Sequence, residues 1–344
     1  MKIALCSTFI PFLYGGGRNI VDWLQAMLEQ QGHQVEKIYL PEVDAPDFLF
    51  QQMMAYRWLD LESADRVICF RPQSHLIHHP HKILWFIHHL RVFYDLWDSP
   101  YRGFPDDLKH QGFRDALHQA DNAALREAKA IFTNSKVVSQ RLKIYNSIDS
   151  EVLYPPVVQP ERFYSSGFND EIVCICRVEH YKRQHLLVDA LAHTKSPVKL
   201  RILGTSFDNK YPNDLSHKIS ELGLNNRIFF DNRWISEDEK VAQLAHCLAA
   251  AYLPLDEDSY GYPSLEASHA SKPILTTSDS GGVIELVHDG INGYVTEPTP
   301  QALATAMDRL YTDRVQTEVM GRNARARISE LGISWSHVLD RLLA

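Results

Sequence analysis

The sequence predicts an α/β protein of two domains, each built on a parallel sheet. Three observations lead there. The chain has 344 residues, more than one hydrophobic core ordinarily supports. Residues 2–40 run strand, glycine loop, helix, strand, the βαβ order of a parallel sheet. Near residue 171 the same order begins again, after the stiff connector Tyr154-Pro155-Pro156-Val157.

Composition narrows the class. Hydrophobic residues make up 45% and charged residues 23%, an ordinary globular mixture. A net charge of −8 gives no overall basic excess, which argues against nucleic acid as a partner. The cysteines Cys6, Cys69, Cys174, Cys176 and Cys247 are odd in number and mostly lie in apolar runs, so they read as reduced core residues. Cys174 and Cys176 share one face of a strand, but no second pair completes a zinc site. No leader peptide is read in the first residues. No apolar run approaches the roughly 20 residues that span a bilayer. The expectation is a cytoplasmic protein, with attachment to a membrane surface left open.

In chain order, residues 2–6 form an apolar strand, and a loop at 7–14 leads to Gly15-Gly16-Gly17. Ile20, Trp23, Leu24, Met27 and Leu28 give residues 18–31 a helical face. Three glycines let a backbone approach a ligand closely. The run fits neither the dinucleotide fingerprint nor the P-loop, however, and a plain flexible turn is the other reading. A helix is expected at 50–61 and strands at 66–70 and 82–87. Around them crowd Arg71, His75, His78, His79, His81, Lys82, His88, His89 and Arg91, which suggests an electropositive wall suited to a phosphate-bearing acceptor. His88 stands at a strand's C-terminal end, where open parallel sheets bind ligands. Residues 93–107 read as a long loop suited to acceptor contacts. A helix at 113–128, a strand at 130–133, a cap at Asn134-Ser135 and a helix at 136–145 close the first domain near Val157.

The second domain opens with a strand at 171–176 and a helix at 185–192. Between them Arg177 and Lys182 can converge on one anion, the first as a planar fork and the second as a point charge. A strand at 198–203 ends at Gly204, a helix (215–222) and a strand (227–230) follow, and the loop Arg233-Trp234-Ile235-Ser236 precedes an acidic helix start. An apolar run at 248–255 leads into the turn Asp258-Ser259-Tyr260-Gly261-Tyr262-Pro263, and Ser264-Leu265-Glu266 reads as a helix start. The N–H groups of such a start can hold a pyrophosphate. Glu266, one turn in, can accept hydrogen bonds from sugar or ribose hydroxyls. A strand at 273–277, the Gly281-Gly282 turn with Glu285, and helices at 301–310, 316–330 and 334–343 complete the chain.

The stretch from Asp258 to Glu285 resembles the signature of the retaining glycosyltransferases of family 4: two acids separated by seven residues, then K-P-V, then G-G-x-x-E. Here these are Asp258, Glu266, Lys272-Pro273-Ile274, and Gly281-Gly282 with Glu285. The first acid is Asp, one methylene shorter than the family's Glu. Arg177 and Lys182 match the family's R-x-x-x-x-K-G, with Arg183 in the glycine's place and Cys176 before the arginine. The T-N-S-K and Y-P-P-V segments and Ser334-Trp335 are also similar.

The resemblance implies the GT-B fold, two Rossmann-like parallel-sheet domains facing a central cleft. Residues 1–157 would lie on the acceptor side, 158–328 would bind the donor, and 329–344 would return as a helix to the first domain. It implies metal-independent transfer of a hexose with retention, from UDP-glucose or another UDP-hexose, with GDP-mannose the alternative. The acceptor would be a glycan or a lipid-linked chain of envelope polysaccharide. Arg177, Lys182, Asp258 and His88 would act on the diphosphate and the transferred sugar. Glu266 would hold the ribose, and Trp234 or Ile235 the base, although Trp234 also suits a packing role. Gly15, Gly16, Gly17, Gly204, Tyr260, Gly261, Tyr262, Pro263, Ser264 and Leu265 would line the donor, with the Gly281-Gly282 turn touching the sugar. Asp256-Glu257-Asp258 matches the metal motif D-x-D, but Asp258 is in register with Glu266, so no metal or other cofactor is expected. Two other classes stay open. One is a GT-B protein that only binds a glycan or nucleotide, and the other is an NAD-dependent oxidoreductase, disfavoured by its missing fingerprint.

Overall fold

Both faces of the first sheet are covered, which is why its inner strands read as largely apolar runs. In β1 (Lys2–Phe9), Ile3 and Leu5 face one core while Ala4 and Cys6 face another. The computed structural model describes residues 1–12, 15–42 and 45–344; Leu13 and Tyr14 of the expected 7–14 loop lie outside them. Two units emerge, Met1–Pro155 with Ser334–Ala344, and Pro156–Ile333.

The first unit's strands are β1, β2 (Gln34–Pro41), β3 (Arg66–Cys69), β4 (Lys82–Phe86), β5 (Ala130–Thr133) and β6 (Glu151–Val152), ordered β2-β1-β3-β4-β5-β6 and all parallel. Its helices are α1 (Gly16–Gln30), α2 (Leu49–Arg57), α3 (Leu108–Arg126) and α4 (Lys136–Asn146). α3 begins earlier than the pattern predicts because the Asp107 side chain caps it, accepting from the His110 N–H. Ser135 caps α4 in the same way.

The second unit holds β7 (Glu171–Ile175), β8 (Lys199–Leu203), β9 (Ile228–Asp231), β10 (Ala249–Ala251), β11 (Ile274–Thr277) and β12 (Gly293–Thr296), ordered β12-β11-β10-β7-β8-β9 and again all parallel. The helices are α5 (Gln184–His193), α6 (Lys210–Glu221), α7 (Glu237–His246), α8 (Tyr262–His269), α9 (Val283–Leu286), α10 (Pro300–Thr312) and α11 (Arg314–Glu330). The final helix, α12 (Trp335–Leu343), belongs to the first unit. Its Val338, Leu339 and Leu342 pack with Ile20, Leu24 and Leu28 of α1. Among the described residues no helix is long and apolar enough to cross a membrane.

Strand order reverses between β1 and β3 in the first sheet and between β7 and β10 in the second. Ligands of open parallel sheets bind beyond the carboxyl ends of the strands at such reversals.

Candidate active site

Both segments leaving the β7–β10 reversal carry charge. After β7, Arg177 and Lys182 flank the Tyr181 ring, with the guanidinium carbon 5.6 Å and the ammonium 5.1 Å from its centroid. Lys182 is only 6% exposed. Its ammonium donates to Tyr252 Oη at 2.7 Å and to the Glu257 carboxylate, to which Tyr252 also donates at 2.8 Å. These contacts occupy two of the three N–H donors of a lysine. Burial pushes the Glu257 carboxyl up, but Lys182 and the hydrogen bonds outweigh it and hold the group below its ordinary range. Burial drives the Tyr252 phenol well above its usual value, so it remains a neutral donor. The acid that meets Lys182 is therefore Glu257; Asp258 follows it, partly buried, in the same loop.

Arg183 has φ +56°, in the left-handed region that favours glycine. Five hydrogen bonds offset the strain. Its guanidinium donates to the Leu253 carbonyl at 2.7 Å, the Pro254 carbonyl at 2.8 Å, Thr277 Oγ1 at 2.8 Å and both Asp279 oxygens at 2.7 and 2.8 Å. Gly204 is needed for a close approach, because a Cβ there would lie 1.8 Å from the Cys176 carbonyl oxygen. A Cβ on Gly281 would lie 2.3 Å from the Glu257 carbonyl oxygen, and the Gly282 N–H donates to that oxygen at 2.8 Å. The Gly281-Gly282 turn thus shapes the acidic loop, where the sequence placed it against sugar.

α8 begins at Tyr262, before the predicted start. The Ser264 and Leu265 N–H groups return to the Gly261 carbonyl at 3.1 and 3.3 Å, so the first turn takes up donors that the sequence assigned to an anion. The Leu265 side chain is fully buried, and Tyr260 is nearly so. Ser264 Oγ is buried with no hydrogen-bond partner among the described residues, a costly state unless something satisfies it. Glu266 is 6% exposed, and its Oε1 accepts from Lys240 of α7 at 2.7 Å. Burial raises the Glu266 carboxyl above its usual value, with Lys240 opposing. Ile235 is buried, whereas Trp234 is 71% exposed.

Lys272, the lysine of the K-P-V motif, is fully buried. It donates to the Gly167 carbonyl and lies 3.8 Å from the Phe168 ring centroid, and burial brings its ammonium down to about 8. Its work is packing. The Cys174 and Cys176 sulfurs lie 3.9 Å apart. Among the described residues no three His, Cys, Asp or Glu side chains are grouped to hold a metal ion.

At the first sheet's reversal, Gly15 opens α1, and a Cβ on Gly17 would meet Arg71 Cδ at 3.3 Å. Arg71 donates to His88 Nε2 at 3.4 Å and pairs with Glu42 at 2.8 Å, while His88 Nδ1 donates to the His89 carbonyl at 2.6 Å. Burial, then the Arg71 charge, bring His88 down to about 4, so it is neutral. The expected electropositive wall does not form. His75 is buried against Asp121 at 2.8 Å, His79 against the Ala64 carbonyl at 3.1 Å and His89 against Asn146 at 2.8 Å. Lys82 is fully buried between two carbonyls and Glu127. These are satisfied interior groups. The 93–107 segment likewise packs inward, through Phe93, Tyr94 and Trp97.

Residues 164–327, inside the second unit, match the family model for Glycosyl transferases group 1. That segment of the second unit carries the group's domain. It is 24% identical to the human alpha-1,3/1,6-mannosyltransferase ALG2 over 316 residues, 82% of this chain and 72% of that protein. To the Dictyostelium discoideum ALG2 it is 33% identical over 117 residues, 34% of this chain and 27% of that one. The chain thus spans well under two thirds of one of these relatives. HepE from Anabaena, solved in complex with UDP-glucose, superposes with a TM-score of 0.71 at 18% identity, covering 99% of this chain and 98% of its own. The architecture is GT-B.

Sequence reading of the candidate site missed Glu257, Tyr252 and Lys240. Tyr252 carried a signal, since a phenol in the apolar run just past β10 must find a partner when buried. Lys240 carried another, because it shares a helical face with buried Leu244. Glu257 carried none. Three successive acids do not show which one turns inward.

Proposed function

We propose that this chain transfers a hexose from a nucleoside diphosphate sugar, bound by the second unit, to a hydroxyl acceptor taken by the first. The observation that supports this most is the set at the β7–β10 reversal. Arg177 and Lys182 bracket one ring, Ser264 carries a buried hydroxyl without a partner, and Glu266 stands one turn into α8. As the bond from the anomeric carbon to the diphosphate breaks, negative charge grows on the phosphate oxygens. Fixed cations in a partly buried site stabilise that charge without reorganising.

Arg177 and Lys182 take the diphosphate, Asp258 the sugar hydroxyls and Glu266 the ribose. Exposed Trp234 stacks on the base, and the segment from Tyr260 to Leu265 lines the donor. Neutral His88, just past β4 in the first unit, is the candidate polar group there for a sugar hydroxyl. The acceptor oxygen bonds the anomeric carbon on the face the diphosphate leaves, and its proton passes to a departing phosphate oxygen, so configuration is retained with no covalent enzyme link. Metal takes no part in this reading. Turnover that survives EDTA supports it, and a loss restored by Mn²⁺ would assign the Asp256–Asp258 acids to a metal.

UDP-glucose or a related UDP-hexose is the first donor reading, in keeping with the ligand of HepE. GDP-mannose is the second, favoured because both ALG2 relatives are named mannosyltransferases. A glycan or lipid-linked acceptor fits either. The test is a thermal-shift titration with UDP, GDP and NAD, followed by turnover of UDP-glucose and GDP-mannose. Stabilisation by UDP or GDP with turnover supports the proposal. Binding without turnover, with or without added acceptors, would make the chain a glycan- or nucleotide-binding protein, and a response to NAD alone would overturn the reading.

A further inference from the structure

Glu266 is gripped from one side only. Lys240 Nζ donates to Oε1 at 2.7 Å, and no described residue hydrogen-bonds Oε2. Lys240 is itself held, because Glu237 Oε1 lies 2.9 Å from the same ammonium. The Lys240 side chain is 15% exposed, between the 8% of Glu266 and the 56% of Glu237. The ammonium therefore bridges an interior carboxylate to a surface one and cannot swing out without breaking two ion pairs. Lys240 reaches in from the second turn of α7, just past the Trp234-Ile235 loop, where Ser236 caps the helix.

We propose that Lys240 is a positioning residue for the donor nucleotide, pinning Oε1 of Glu266 so that Oε2 is presented to the ribose hydroxyls. This rests on the reading of Glu266 as the ribose acceptor. An unpinned carboxylate turns about its last torsion, which is broad for glutamate. Fixing one oxygen places the lone pairs of the other. The adjacent cation also favours the ionised carboxylate, and a hydroxyl bonds a charged acceptor more strongly than a neutral one. One short segment of α7 and its preceding loop would then serve both ends of the nucleoside: Trp234 for the base and Lys240, through Glu266, for the sugar.

The test uses the full chain and calorimetric affinities for UDP and GDP, each compared with its 2′,3′-dideoxy form. Wild type should prefer the ribose form of the nucleotide it binds by about tenfold, the scale of hydrogen bonds to a charged group. Lys240→Met should lose most of that preference while keeping its affinity for the dideoxy form, and Lys240→Arg should restore it. Lys240→Gln serves if the methionine variant fails to fold. A Lys240→Met or Lys240→Gln protein that weakens both forms equally, or keeps the wild-type preference, overturns the proposal. Glu266→Gln separates the two levels. If it abolishes the preference while the Lys240 variants keep theirs, only the role of Lys240 fails. If wild type shows no ribose preference, or Glu266→Gln retains it, the ribose reading of Glu266 fails first.

Discussion

Replacing Lys182 with methionine should unsettle the second unit as well as stop turnover. The ammonium is 6% exposed and the Glu257 side chain 26%, so the change leaves a mostly buried carboxylate with Tyr252 as its remaining neutral partner. Breaking a fully buried pair costs about 3–5 kcal/mol. Partial exposure of Glu257 lowers this, whereas the loss of cation–π contacts at 5.0 and 5.1 Å adds to it. The expected cost is about 2–4 kcal/mol, or roughly 5–15 °C in Tm for a unit of this size.

The cost should depend on pH. In wild type the Glu257 carboxyl lies below its ordinary 4.5, so its contribution is present above that value and fades as pH falls through the folded pKa. Without Lys182, burial is opposed only by the Tyr252 hydrogen bond and the Arg177 charge, and the folded pKa should rise above its ordinary value. The variant then loses stability as pH climbs, and the gap from wild type widens between pH 4 and 8. Lys182→Met/Glu257→Gln should recover most of the loss, because no buried charge is left. Differential scanning calorimetry at several pH values reads all three. A Lys182→Met protein within about 1 °C of wild type across that range, or a double variant worse than the single one, would refute the reasoning.

Other outcomes follow from single positions. Gly204→Ala should cost at least about 3 kcal/mol, because φ +150° suits glycine alone and the added Cβ would sit 1.8 Å from the Cys176 carbonyl oxygen. Wild-type Tm in that variant would contradict the packing. His88, His89, His185 and His269 are each brought down to about 4, first by burial. Between pH 6.5 and 4 the unfolded chain binds protons that the folded chain refuses, so stability falls as pH drops, by at most about 1.4 kcal/mol per unit for each. Urea midpoints that stay flat over that window would count against it. Arg183→Gly should relieve the left-handed strain yet still lose stability, by about 1–3 kcal/mol, since it strands Asp279. Chemical denaturation would show the opposite sign if the strain outweighed the bonds.

How far the sequence could be read follows from where the signals lie. β1, β4 and β7 were legible because a strand covered on both faces leaves an unbroken apolar record. β6 and β12 were not. The first is two residues long, and the second starts at a glycine and holds only Tyr294 and Val295 as apolar residues. Helix ends set by one polar side chain, as at Asp107, shifted from the predicted bounds because the apolar period begins later than the cap. Within the candidate site, the spacing across a strand-to-helix turn suggested that Arg177 and Lys182 come close together, and the structure sets both beside the Tyr181 ring. Glu257 was not, because the backbone at Asp256 takes φ +45°, and that left-handed step redirects the following side chain in a way no periodicity encodes. The lysine of the K-P-V motif was legible as a position but not as an interior clamp, since lysine is rarely buried at all.

Arg183 joins pieces of chain that are far apart in sequence: the turn entering α5, the carbonyls just past β10, and the hydroxyl and carboxylate at the end of β11. A hinge is therefore not available at this edge of the sheet. Widening it to admit a bulkier ligand would mean tearing five bonds at once. If the proposed function holds, retuning which nucleotide is accepted should instead fall to side chains that stand free of the suture, exposed Trp234 foremost, and swapping that indole for smaller or larger groups tests it with the scaffold unmoved.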